Sequence, residues 1–514
     1  MSAPSAAAIL QLGEEVLTRD ALLARAGRAA SGFAALGVGA DDAVALLVRN
    51  DLPFFEASFG TAHLGAFAVP FNWHATAHEV AYLLKDCGAR VLVAHADLLQ
   101  QVETAVPADV AVLAVEPPPT LRRVYQLSTA SCRLRPGATA WRDWLLQHPP
   151  WQGSASGSTR TIIYTSGTTG RPKGVRRGRP AAEQLADIET MRRSIYGIEP
   201  GGRVLLPGPI YHSAPNSYGL AAARVAERLV LMPRFDPEEL LRLIEHHRIE
   251  AVMMVPTMFV RLLKLPEAAR RRYDLSSLRF VIHAAAPCPV DVKRAMIDWW
   301  GPVINEFYGG TETGAVSFCT SEQWLSHPGT VGRVVDKARL VILDDHGRAC
   351  PTGVPGEVYM RLSYLPDFTY HGQEERRREV ERDGLITLGD VGYLDAEGYL
   401  YICDRKRDMA IIGGSNVYPA EIEAVLVGMA GIRDCAVFGI PDIEYGEALM
   451  AVVEPEPGAG IDAAAVHEYL RSFFSGFKLP RHIEIRGTLP REDSGKIFKR
   501  QLRAPFWEKV GRSI

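Results

Sequence analysis

The hydrophobic pattern changes period several times along the chain. "TRDALLARAGRAASGFAALG" (18–37) places Leu22, Ala26, Ala29, Phe33 and Leu36 on one face at helical spacing, and Gly37 is placed to end the helix. "AVALLV" (43–48) and "RVLVA" (90–94) are instead short, unbroken and β-branched, as strands buried on both faces tend to be. Runs of the same kind recur at "TIIY" (161–164), "RVLL" (203–206), "AVMMV" (251–255) and "RFVIHA" (279–284). Helical patterns such as "DPEELLRLIEHHRI" (236–249) separate several of them. Such alternation predicts layered α/β architecture with parallel strands.

Two stretches read as connectors: proline-rich "PADVAVLAVEPPPT" (107–120) and the Pro/Gly/Ser-rich "HPPWQGSASGSTR" (148–160). Beyond about residue 335 the texture shifts. "RLVILDDHGRAC" with "GEVYMRL" predicts a hairpin-like β unit. A smaller α+β unit follows from about 404: helix "YPAEIEAVLVGM", strands "CAVFGI" and "ALMAVVE", helix "IDAAAVHEYLRSFF" and a basic end. The expected fold class is α/β. A large multi-subdomain N-terminal domain of layered sheets and helices (1–404) would be joined to a small mobile α+β C-terminal domain (405–514). At 514 residues the chain is too long for one core, since domains run about 100–200 residues.

Charge adds an exclusion. With 57 Lys and Arg against 60 Asp and Glu, the net charge is -3, which gives no reason to expect a nucleic acid or an anionic membrane as partner. The seven cysteines are scattered without CxxC spacing, so reduced thiols in a cytoplasmic protein are expected and a zinc site is not. "MSAPSAAAIL" lacks the basic start and apolar core of a signal peptide, and no run is long and apolar enough to span a bilayer. Oligomeric state is not legible.

The chemistry is concentrated in a few stretches. "YTSGTTGRPKGVRR" (164–177) follows an apolar strand with hydroxyls, glycines and a lysine. Backbone N–H groups and hydroxyls of Thr165, Ser166, Gly167, Thr168 and Thr169 can wrap phosphate oxygens, and Lys173 adds a cation. The Walker pattern GxxxxGK[ST] is not met, because Pro172 stands where its second glycine would be.

"YTSGTTGRPKGV" resembles the phosphate-binding loop of the adenylate-forming superfamily, which comprises acyl- and aryl-CoA synthetases, peptide-synthetase adenylation domains and luciferases. Further segments resemble its motifs in the same order. "EFYGGTETG" (306–314) implies that Tyr308 stacks on adenine, Gly309 belongs to the ATP/AMP-binding residues, Thr311 contacts phosphate and Glu312 holds Mg²⁺. "TLGDVGYLD" implies that Asp390 accepts the ribose hydroxyls. "YICDRKRDMAIIGGSNVYPAEIE" (401–423) implies Arg405 on the ribose, a hinge at Arg407 in place of the usual Asp or Lys, and a thiol tunnel lined by Gly413, Gly414 and Ser415. "LPREDSGKIFKR" (489–500) implies Lys496 as the catalytic lysine, with Lys499 and Arg500 as surface charges. "VIHAAAPCP" is similar to the adenine-side segment, with Ala284, Ala285 and Ala286 against the base. By the same resemblance His212, Val255, Thr257 and His283 would border the acyl group.

The resemblance covers nearly the whole chain, and no appended carrier domain is expected after the lysine motif. It implies an AMP-forming acid–thiol ligase of the acyl-CoA synthetase type. Its substrates would be a carboxylic acid, ATP and coenzyme A, with Mg²⁺ as cofactor. The wording "GVRRGRP" and "HAAAPCP" is similar to that of bacterial fatty-acid and bulky-acid CoA ligases, which suggests a place in fatty acid metabolism. Two other readings stay open: an acyl-AMP ligase that loads a carrier protein or another acceptor, and a nucleotide-binding regulator without turnover.

Overall fold

The computed structural model describes residues 9–153, 159–165, 172–413, 415–474, 476–491 and 497–508. Two large sheets dominate the first part of the chain. One has nine strands, and its centre is a parallel ladder running Ile304–Gly310, Phe280–His283, Ala251–Met254, Arg203–Leu206, Arg228–Leu231 and Ile9–Leu12. Antiparallel strands close its two edges. The other has six strands, all parallel, with Ala43–Leu47 between Ala89–His95 and Phe67–Pro70.

Helix Leu52–Leu64 and part of helix Arg19–Ala35 share one core with both sheets, through Val44 and Leu46 on one side and Val204, Leu206 and Leu229 on the other. Leu52–Leu64 is buried almost all round, as its composition demands. Its one buried carboxylate, Glu56, accepts hydrogen bonds from Trp141 Nε1 at 2.6 Å and Arg25 Nη1 at 2.8 Å. Helix Arg19–Ala35 buries Leu22, Ala26, Ala29 and Phe33 as the spacing predicts. Leu36 instead caps the helix and is 38% exposed.

Two stretches depart from the sequence reading. The connector expected at 107–120 contains strand Ala111–Val115, parallel to Ala89–His95. Its β-branched residues complete a sheet, while the flanking prolines end the element. "TIIY" is not one strand. Arg160–Thr161 joins the six-stranded sheet, and Ile163–Thr165 starts a separate three-stranded sheet with Lys173–Arg177 and Phe368–Tyr370. That split takes the chain from the six-stranded sheet to the three-stranded one.

The predicted hairpin is present as Ala338–Leu343 against Gly356–Leu362, within a sheet that also holds Leu385–Leu394 and Leu400–Arg405. The next strand, Ala410–Ile412, belongs to a different sheet, with Ser415–Val417, Ile432–Asp442, Gly446–Pro455 and His482–Ile485. The change of sheet therefore falls between 405 and 410. This matches a mixed α/β protein with a large N-terminal and a small C-terminal domain. Among the described residues no helix is long and apolar enough to cross a membrane.

The two inner helices touch closely at Gly60, where an added Cβ would meet Ala29 Cβ at 2.8 Å and the Ala26 carbonyl oxygen at 3.2 Å. Gly60→Val is expected to destabilise the large domain by about 1–3 kcal/mol through overpacking. A lowered denaturant midpoint checks this, and an unchanged midpoint would show that the helices can part.

Candidate active site

The parallel ladder brings four sequence segments to one edge. His212 follows strand Arg203–Leu206, Val255 and Thr257 follow Ala251–Met254, Ala284–Ala286 follow Phe280–His283, and Tyr308–Thr311 close Ile304–Gly310 and its turn. All leave from the carboxyl ends of their strands, the edge where open α/β sheets bind ligands.

The acyl-side segment is held from the other sheet. Buried Asn50 donates from Nδ2 to the carbonyls of Gly208 and Met232, both at 2.9 Å, and its Oδ1 accepts from Ile210 N–H at 2.9 Å. His212 caps helix Ser213–Val225, with its ring 4.3 Å from that of Tyr211. Val255 and Thr257 are half-buried at the start of helix Pro256–Leu263. His283 is placed differently. It is fully buried, packs edge-on against Phe259 and lies 3.5 Å from Glu306, itself paired with Lys293 at 2.5 Å. Burial and the Lys293 cation hold its imidazole neutral. His283 thus belongs to a sealed polar cluster under the ladder and presents no surface to a ligand.

On the adenine side, Ala284 is buried, while Ala285 and Ala286 are exposed. Ala285 has φ +76°, a left-handed conformation that costs a residue with a Cβ. Gly309 sits at a bulge between Ile304–Gly310 and Gly314–Cys319. An added Cβ there would lie 1.8 Å from the Gly314 carbonyl oxygen.

Tyr308, Asp390 and Arg405 meet in the structure. Tyr308 OH donates to Asp390 Oδ2 at 2.7 Å, and Arg405 Nε lies 3.4 Å from Asp390 Oδ1. Strand pairing sets Asp390 opposite Arg405. A carboxylate has about four acceptor positions, so Asp390 keeps capacity for ribose hydroxyls.

Thr165 and Lys173 are paired in register at the ends of two antiparallel strands of one hairpin. Ser166, Gly167, Thr168 and Thr169 lie outside the described residues, as do Gly414 and Lys496. The hairpin is anchored to helix Ala77–Cys87: Tyr164 OH donates to Asp86 Oδ2 at 2.6 Å, and Tyr82 OH to the Pro172 carbonyl at 3.1 Å. Lys173 Nζ stands 4.5 Å from the centre of the Tyr370 ring, and Tyr370 OH donates to Glu312 Oε1 at 3.0 Å. Burial holds the Lys173 ammonium below its usual pKa, while the Glu312 carboxylate opposes that shift. Neither Tyr370 nor the arginine behind it, Arg177, carries a motif signal in the sequence.

The donor set suits magnesium of one kind. Among the described residues no group of three or more His, Cys, Asp or Glu could hold a metal ion. Glu312 has one oxygen taken by Tyr370, which fits an ion held chiefly by phosphates and water with one protein carboxylate.

At the junction, Gly413 has φ +56° and its N–H donates to the Tyr445 carbonyl at 2.9 Å, while Ser415 opens the return strand of the hairpin. The Arg407 carbonyl accepts from Arg503 Nη1 at 2.7 Å. Lys499, expected on the surface, instead pairs with Glu423 at 2.8 Å, and Arg500 is exposed. The C-terminal helix that carries Lys499 folds back on the small domain, which decides this pairing.

The AMP-binding enzyme family model matches residues 2–365, and the AMP-binding enzyme C-terminal domain model matches residues 421–496. The chain belongs to the AMP-binding enzyme family. It is 31% identical over 490 residues to FadD13, a long-chain-fatty-acid–CoA ligase of Mycobacterium tuberculosis, covering 95% of this chain and 93% of that one. It is 34% identical to a methyl-dioxo-octahydro-indenyl propanoyl:CoA ligase of the same organism, covering 92% and 91%. ATP-bound MatB from Rhodopseudomonas palustris superposes with a TM-score of 0.80 at 26% identity, covering 100% of this chain and 98% of that one. Adenylate-forming carboxylate–CoA ligase activity is the function that family and relatives support.

Gly309→Ala is expected to lower ATP–pyrophosphate exchange at least about tenfold, because the clash is with backbone and the bulge must open. Circular dichroism should stay native. Exchange within twofold of wild type would show that the hairpin yields without loss of the site.

Proposed function

We propose that the protein is an ATP-dependent carboxylate–CoA ligase acting on a long-chain fatty acid or a bulky alicyclic acid. The observation that carries this reading is the meeting, beside one sheet edge, of two sets of side chains: Tyr308–Asp390–Arg405 for a nucleoside and Lys173–Tyr370–Glu312 for its phosphates. ATP and CoA as substrates agree with the cytoplasmic location expected from the sequence.

In the first half-reaction a carboxylate oxygen attacks the α-phosphorus of ATP. The new C–O–P bond forms as the bond to the β-phosphate breaks, and pyrophosphate leaves. No protein nucleophile is required, so the protein's part is positioning and charge neutralisation. Tyr308 and the 284–286 loop hold the base, Asp390 and Arg405 the ribose. Thr165, Thr311 and Lys173 hold the phosphates. Glu312 would hold Mg²⁺, which supplies charge neutralisation on the phosphate oxygens when bound. Lys496 favours the transition state, in which negative charge on the α-phosphate oxygens grows.

In the second half-reaction the CoA sulfur attacks the acyl carbon, AMP leaves with the bonding electron pair, and the thiol proton passes to solvent. The small domain turns about Arg407, withdraws Lys496 and offers the 413–415 loop to the pantetheine arm. The motivation is that both motifs sit beyond a junction of only a few residues between sheets.

AMP release with Mg·ATP and CoA, across short, medium and long fatty, aryl and steroid acids, tests the reading. AMP formed only with both acid and CoA is the expected result. Adenylate retention without CoA dependence would assign a different acceptor. ATP binding with silence across the panel would support the regulator.

Lys496→Ala should slow adenylation about 10²–10³-fold, the scale for removing one donor to a developing charge. It should spare thioester formation from supplied acyl-adenylate, and Arg407→Pro should do the reverse. Equal loss of both halves in the Arg407 variant, measured by single turnover, would refute the hinge.

A further inference from the structure

Arg177 is an unusual cation. It lies on the strand that leaves the phosphate loop, and its guanidinium donates to three backbone carbonyls. Nη1 reaches Pro366 at 2.7 Å, and Nη2 reaches Thr311 at 2.9 Å and Glu312 at 2.6 Å. Burial brings its pKa down to about 10, against the opposing pull of the Glu312 charge. The half-buried guanidinium is held by peptide carbonyls, and two of them belong to the residues that would meet phosphate and magnesium.

The other end of Glu312 is held as well. Tyr370 OH donates to its Oε1 at 3.0 Å, and the Tyr370 backbone pairs with Val175 on the same strand as Arg177. Lys173, two residues before Val175, lies over the Tyr370 ring. One short strand therefore carries the phosphate lysine, the clamp on the 311–312 backbone and the support of the tyrosine that orients the carboxylate.

We propose that Arg177 and Tyr370 are positioning residues that fix Glu312 at its backbone and at its carboxylate, so that the phosphate hairpin and the metal-binding turn move as one body. This rests on the reading of Glu312 as the magnesium carboxylate. The physical reason is preorganisation. A carboxylate on a turn must be held in one rotamer to serve an ion that demands near-octahedral geometry. Tyr370→Phe keeps the ring under Lys173 and deletes only the bond to Glu312. Arg177→Lys keeps the charge but gathers its donors on one nitrogen and loses the planar fork that spans Pro366 and the 311–312 carbonyls.

Calorimetric titration of the full-length protein with ATP alone, without acid and hence without turnover, tests this in magnesium and in EDTA. The ratio of the two dissociation constants is the gain from the ion. It should fall about three- to tenfold in Tyr370→Phe and in Arg177→Lys; a difference of 1.4 kcal/mol is tenfold. Equal weakening in both buffers would mean a merely structural role and overturn the proposal. So would an unchanged ratio in both variants while Glu312→Gln loses the gain. If Glu312→Gln keeps the gain, the reading of Glu312 itself falls. Should Arg177→Lys fail to fold, Tyr370→Phe alone decides.

Discussion

The parallel ladder through Arg203–Leu206, Ala251–Met254, Phe280–His283 and Ile304–Gly310 is the constraint on which the rest depends. Strands that run in one direction end on one edge, so segments some 100 residues apart in sequence deliver their loops side by side. Parallel strands also need both faces covered. Helix Leu52–Leu64 meets that need between two sheets, at the cost of burying Glu56, which Trp141 and Arg25 then satisfy. Asn50 repeats the device at the ligand edge, with three hydrogen bonds across the gap.

Around that edge the electrostatics follow burial. Cations sit where negative charge is to be handled: Lys173 beside Glu312, Arg405 beside Asp390, and Arg177 behind the 311–312 turn. The Lys293–Glu306–His283 cluster is of another kind. It is sealed beneath the ladder, where its charges are paired and its imidazole stays neutral.

The junction between domains is tied from several directions. Lys406 pairs with Asp345 and Glu357 of the large domain, at 3.0 and 3.1 Å. Arg503, on the last helix, holds the Arg407 carbonyl. Asp404 accepts from the N–H of Ala420, at the start of the first helix of the small domain. Lys264 reaches across to the carbonyls of Ile432 and Arg433 at 3.1 and 3.3 Å. The half-exposed Lys406 pairs contribute little each.

Period and punctuation determined much of the protein. The short apolar runs at 203–206, 251–254 and 280–283 read as buried strands and are strands in the structure, and the helix at 237–247 is capped by Asp236 beside it. The motif resemblance singled out Tyr308, Asp390 and Arg405 in three separate segments, and the fold puts their side chains in contact. Tertiary structure alone decided three things. "TIIY" was divided between two sheets, because strand pairing depends on partners distant in the chain. His283 was withdrawn from the ligand edge, because a strand's two faces look the same in sequence until packing distinguishes them. Tyr370 and Arg177 were brought to Glu312 from distances of 58 and 135 residues. No local pattern encodes such a contact, since it exists only after the three-stranded sheet has closed.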